Sequence, residues 1–246
     1  MQSPNPFSGI KTCTDYRHLW LLTALVILLQ IAVSAGVTLL ERHFGVSLGT
    51  FGGFLPALLV TGYISWTVLS GMGVSWRGAL ADWRARAGRD FVKALLYFLG
   101  YAVLLAGIAA ALYAGYYLLG DRLAAAMRPL DVRNSAENMA LYKAAVSARP
   151  SFLLALISAC VAAPVVEETF FRRIVYTTIR LKNGFWASAL WSGLLFALFH
   201  GEGAPIIFPV GIYLAWVYER ERRLSLNILL HALINVSMMS LKVLIK

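Results

Sequence analysis

Charge is scarce in this chain: only 14% of its 246 residues are Asp, Glu, Lys or Arg, against about 25% in an average soluble domain. With 59% hydrophobic residues and a mean hydropathy of +0.70, that scarcity excludes a soluble globule of this length. Cysteine is nearly absent. Cys13 falls in a polar tail and Cys160 in an apolar run, so there is no disulfide framework and no cysteine pair at metal-ligand spacing. No HExxH stretch occurs, which removes the short-range zinc signature. Internal repeats and low-complexity tracts are also missing, and with them the paired half-sequences of many transporters.

What is present is a series of apolar runs. Residues 19–40, 54–72, 91–119, 151–182, 185–200, 206–218 and 224–244 each read as a spanning or near-spanning helix, giving an all-α, polytopic transmembrane helical bundle of about seven spans. The first run is longer than a signal-peptide core and has no small-residue cleavage site, so it reads as a retained helix, with Tyr16 and Trp20 at its interface. Residues 1–150 hold the first helices, a basic segment and a polar loop. Residues 151–246 hold a polar-punctuated core in the same membrane domain.

The formal charge of +10 does not point to nucleic acid, because the basic residues sit at the ends of apolar runs. Between Ser75 and Asp90, Arg77, Arg84, Arg86 and Arg89 alternate with Trp76 and Trp83, an amphipathic pattern suited to an anionic leaflet. Residues 120–150 are polar and too long for a simple connection. Within them Asn134 and Glu137 have the spacing of a capping box opening a short helix through Ala148. With the N-terminus inside, fourteen Lys and Arg face the cytoplasm and eight the other side, which favours a cytoplasmic N-terminus.

The chemistry concentrates in Pro164-Val-Val-Glu167-Glu168-Thr-Phe-Phe-Arg172-Arg173. A charge at membrane depth costs at least about 2.5 to 3.5 kcal/mol, so four in one run call for partners or a task. Glu168 and Arg172, four apart, pair on one helix face, whereas Glu167 points about 100° away and is left over. Pro164 removes the donor to the carbonyl of Cys160 and frees backbone groups there. Downstream, His200 closes the run from Phe196, and His231 and Asn235, also four apart, share a face. A spare carboxylate, two imidazoles and an amide are the parts for a general base with an oxyanion site. Singly, each could be an ordinary interhelical hydrogen-bonding residue. Cys160 lies about 10 Å along the helix from Glu167, too far to be activated by it.

Glu-Glu-x-x-x-Arg, Phe-x-x-x-His and His-x-x-x-Asn, in that order on successive hydrophobic segments, resemble the CPBP family of intramembrane endopeptidases, which includes CAAX-prenyl proteases and bacterial abortive-infection proteins. The resemblance covers about Ser151 to Met239. It implies that Glu167 and His200 activate water and that His231 and Asn235 stabilise the tetrahedral intermediate. Glu168, Arg172 and Phe196 would support them. It implies a membrane protein or peptide as substrate, within the bilayer. A divalent metal such as zinc on Glu167, His200 and His231 stays open, since the family has been described both as metalloproteases and as metal-independent; the reading adopted requires no cofactor. A proton- or ion-coupled transporter, and a non-catalytic scaffold or immunity protein, are the alternatives. The cavity is expected to open on the N-terminal, cytoplasmic face, with Arg173 marking that interface.

Overall fold

The computed structural model describes residues 5–147 and 149–244, with the side chains of 50, 129–134, 137, 149 and 202 left out of the description. Among the described residues there are ten α-helices: α1 (Tyr16–Phe44), α2 (Gly49–Gly71), α3 (Trp76–Leu119), α4 (Asp121–Ser147), α5 (Arg149–Ile157), α6 (Ala163–Glu168), α7 (Thr177–Arg180), α8 (Phe185–Leu198), α9 (Ala204–Glu221) and α10 (Leu224–Leu244). Two π-helical stretches, Ser158–Ala162 and Thr169–Tyr176, join α5, α6 and α7 into one rod. Among the described residues five helices are long and apolar enough to cross a membrane: α1, the greater part of α2, α3, the rod Pro150–Arg180, and α10. α8 is a shorter apolar helix of 14 residues. The described residues therefore form an all-helical membrane bundle in which five helices are long and apolar, and α8 and α9 pack as a shorter hairpin beside them.

The helix ends follow from local chemistry. Asp15 caps α1 by accepting from the Arg17 amide, and Gly45, at φ 64°, ends it in the left-handed region. Ser75 caps α3 through the Gly78 amide. From there α3 runs 44 residues without a break, so the basic 75–90 segment is the first part of a spanning helix and not a separate surface element. The polar 120–150 stretch is likewise helical, from Asp121 to Ser147, and does not restart at Asn134. The capping side chains of Asn134 and Glu137, and Ala148, lie outside the described residues.

The ends gather on two faces. On the N-terminal face, Lys11 Nζ donates to the Gly73 carbonyl (2.9 Å), Asn5 to the Arg180 carbonyl (2.6 Å), and Arg223, in the α9–α10 turn, to both carboxylate oxygens of Asp90 (2.7 Å each). Residues 5–12 are thus no loose tail: Phe7 is fully buried between Tyr176 and Tyr218, and Thr12 meets Thr178 at 2.9 Å. The opposite face carries the α1–α2 turn, the α3–α4 turn, the start of α9 and the end of α10. Between the faces, the rod is the most enclosed element, with Phe170, Phe171, Ile174 and Tyr176 packed inside. Lipid would meet α1 and α3, where Leu28, Ile31, Leu96, Leu99 and Val103 stand exposed.

α8 and α9 make the closest helix crossing. A Cβ on Gly211 would stand 3.0 Å from the Gly193 backbone, and one on Gly193 would meet Ile212 N at 3.1 Å. Small residues at a crossing let two backbones approach where no hydrophobic drive between helices exists in lipid. This crossing sets the height of His200, one residue past Phe199 at the end of α8.

Candidate active site

The π-helical stretch before α6 is where Pro164 acts. Its missing amide loosens the ladder over Ser158–Ala162, and the side chain of Asn235 on α10 donates to the exposed Ala159 carbonyl at 2.7 Å. One turn later the two carboxylates separate as the helical rotation demands. Glu168 points into the bundle and is fully buried. Its Oε2 accepts from Arg172 Nε (3.1 Å) and Asn227 Nδ2 (2.9 Å), and its Oε1 meets His231 Nδ1 at 3.0 Å. Glu167 points the other way, into a cavity of about 730 Å³.

That cavity brings together Glu167, His200 and Asn235 on one wall, with Val166, Phe171 and Phe199 beside them. The facing wall comes from α1 and α2 and carries Gln30, which donates to Thr61 at 2.7 Å. Oε2 of Glu167 is buried without a hydrogen-bond partner, and the Nε2 atoms of His200 and His231 face it from 3.9 and 3.8 Å. His200 is oriented by its other nitrogen, Nδ1, which lies 2.7 Å from the Phe196 carbonyl. Phe196 is buried under the site: its ring lies 4.6 Å from the His200 ring, 5.7 Å from the His231 ring and 5.0 Å beneath the Arg172 guanidinium. Ser192 of α8 receives Arg172 at 3.2 Å and donates to the Phe171 carbonyl.

All seven residues singled out in the sequence therefore meet in one place, although His231 stands behind Glu167 and does not line the cavity. Asn227 and Ser192 were not singled out. A signal for Asn227 did exist: Asn227, His231 and Asn235 recur every fourth residue, one polar stripe on an apolar helix. Ser192 offered none, being one small residue among many. For a metal, both Nε2 atoms face the Glu167 oxygen, yet among the described residues no group of three His, Cys, Asp or Glu side chains is arranged to hold an ion.

The cavity corrects the expected opening. Its lining draws on Gly49 and Gly53 at the start of α2, Leu141 of α4, Gly201, and Lys242 near the end of α10, all toward the face opposite the N-terminus. Arg173 does not mark an interface. It is half-buried, and the rod continues to Arg180, about 20 Å of rise beyond Glu167. The N-terminal segment closes the near end of the bundle, and the site opens at the far one.

Residues 149–237 match the family model described as type II CAAX prenyl endopeptidase, Rce1-like. An "Uncharacterized 24.3 kDa protein" of Escherichia coli is 30% identical over 134 residues, covering 52% of this chain and 58% of that protein. "Putative membrane peptidase YdiL" of Bacillus subtilis (strain 168) is 26% identical over 84 residues, 33% of this chain and 34% of that protein. The chain thus spans little more than half of one curated relative and about a third of the other. No solved structure matches it. The matched segment begins at α5 and ends two residues after Asn235, so it contains every residue of the charged cluster described above; it covers little more than a third of the chain, which over that segment is similar to Rce1-like CAAX-type membrane endopeptidases.

Proposed function

We propose that this chain is an intramembrane endopeptidase which hydrolyses a peptide bond in a membrane-associated protein or peptide, using water activated by Glu167 and His200. The observation that carries this reading is the partnerless, buried Oε2 of Glu167 at the wall of a cavity with room for water, with the imidazole Nε2 atoms of His200 and His231 at 3.9 and 3.8 Å from it. Burying such an oxygen without a partner costs about 1 to 3 kcal/mol or more, a penalty that a bound water or substrate would relieve.

In the reaction, a water in the cavity beside Glu167 and His200 gives a proton to Glu167 as its oxygen attacks the scissile carbonyl. Charge develops on the carbonyl oxygen. Asn235 can receive it, because its carboxamide has two N–H bonds and only one is spent on Ala159. The proton held by Glu167 then passes to the leaving amine. Glu168 and Arg172, neutralising each other inside the bundle, keep the helix face in register. Nothing in these steps requires a metal. We further place the N-terminus in the cytoplasm, from the distribution of Lys and Arg, which puts the cavity mouth on the outer side.

Replacing Glu167 by Gln preserves size and removes basicity. The membrane proteome of cells carrying the wild type should show new protein C-termini that are missing with the Glu167→Gln variant. A substrate found in that way should be cleaved about 10² to 10⁴ times more slowly by the purified variant. Equal rates would remove Glu167 from the chemistry. Activity is expected to survive strong chelators in a preparation holding far less than one zinc per chain; loss of activity together with one tightly bound zinc would assign the reaction to a metal.

A further inference from the structure

We infer that His231 is held as the tautomer with its proton on Nδ1, so that its Nε2 is a proton acceptor facing Glu167 and not a donor to the oxyanion, and that Glu168 and Asn227 are the positioning residues that impose this. The inference takes the site above as the reacting centre, but concerns a property of the resting protein. It starts from Glu168. Buried beside Arg172, this group is a carboxylate and can only accept hydrogen bonds. Two donors, Arg172 Nε and Asn227 Nδ2, converge on Oε2, which leaves Oε1 for His231 Nδ1 at 3.0 Å. Asn227 is itself fixed, since the same Nδ2 also donates to the Leu214 carbonyl of α9 at 2.9 Å. With an acceptor-only group on Nδ1, the imidazole must keep its proton there. Nε2 then presents a lone pair.

The same logic applies to His200, whose Nδ1 faces the carbonyl of Phe196, another pure acceptor. Both histidines therefore turn lone pairs toward Glu167. A water in the cavity beside Glu167 and His200 meets two acceptors for its two hydrogens, so it is bound with its oxygen lone pairs free for attack. Oxyanion binding falls to Asn235, the member of the set with a spare N–H.

Nitrogen-15 NMR of the full chain in lipid bilayers, labelled at histidine, reads the tautomers directly. The chain has four histidines, and single replacements of His18, His43 and His200 identify the signal of His231. At neutral pH, His231 should show a protonated Nδ1 and an unprotonated Nε2. The opposite tautomer, or a doubly protonated ring, would overturn the inference. Glu168→Gln gives the second arm. Arg172 and Asn227 retain the amide oxygen of the new side chain, which turns its NH₂ toward His231 and should move the ring proton from Nδ1 to Nε2. A folded Glu168→Gln protein with the wild-type tautomer would show that Glu168 does not set it. If that variant fails to fold, the wild-type spectrum alone decides. A Glu167→Gln protein without loss of hydrolysis would remove Glu167 from the chemistry, and absence of any cleaved substrate would defeat the protease reading; either result leaves these spectra standing.

Discussion

Arg172 shows how much a single residue carries. It is fully buried, pairs with Glu168, reaches Ser192 and lies over the Phe196 ring, so it joins the rod to α8 and, through Glu168, to α10. Arg172→Met removes the cation and leaves a buried, uncompensated carboxylate. Breaking a buried pair on one side costs about 3 to 5 kcal/mol, whereas removing both charges in a matched apolar pair is far milder. The single variant should melt well below the wild type in detergent, and Arg172→Met combined with Glu168→Gln should recover much of the difference, as read by thermal unfolding of the purified proteins. Activity should not return in the double variant, because His231 has lost its anchor. The i, i+4 pairing was legible from the sequence; the convergence of three helices on it was not.

The elements are tuned around the site by backbone chemistry. The rod is α-helical only in part, and its two π-helical stretches bracket the carboxylates, with Pro164 explaining the first. The second, Thr169–Tyr176, is followed directly by Thr177, whose Oγ1 donates back to the Arg172 carbonyl, and no proline or glycine foretells it. At the α8–α9 crossing, Gly211→Ala would push a methyl group to 3.0 Å from the Gly193 backbone, which cannot move aside as a side chain would. Overpacking of this kind costs about 1 to 3 kcal/mol. The expected result is a lower melting temperature with a reduced turnover rate, since α8 carries His200; an unchanged rate would mean that the crossing does not hold the site.

On the N-terminal face, the α9–α10 turn is tied to α3 by Arg223 with Asp90 and by Glu221 with Lys93 (2.5 Å) and Tyr97 (2.8 Å). Burial pushes the Glu221 carboxyl up, but the hydrogen bonds from Lys93 and Tyr97 outweigh it and hold the group below its ordinary value. A carboxyl depressed in the folded state contributes stability above its unfolded pKa, and that contribution is lost as pH falls through the folded value. Glu221→Gln should therefore lower the melting temperature at neutral pH and make little difference in acid. A deficit that persists unchanged at low pH would assign the effect to packing.

For the molecule as a whole, the two sets of helix ends and the cavity between them make one prediction about orientation. With the N-terminus inside, a cysteine at the exposed Ser47 on the far face should react with a membrane-impermeant thiol reagent in intact cells, and one at the exposed Arg77 should not. Both native cysteines are buried and give little background. The reverse pattern would place the N-terminus outside and the cavity mouth in the cytoplasm.

The sequence by itself determined the class, the helical content and which polar residues gather around Glu167. Sparse charge forces burial in lipid, and an ionisable group kept in an apolar run must find a partner, so Glu167, Glu168, Arg172, His200, His231 and Asn235 could be named from spacing and chemistry alone. Only the tertiary structure decided which partner each one found. Helical rotation separates Glu167 from Glu168, but the packing of α10 against the rod determines that His231 is gripped by Glu168 from behind while Asn235 reaches the cavity. The direction of the opening was decided in the same way. Arg173 at the end of an apolar stretch looks like an interface marker in one dimension, yet the rod runs on for about two further turns, and the N-terminal segment folds back to cover that end with Phe7. Contacts between residues more than a hundred positions apart set these outcomes, and local pattern does not record them.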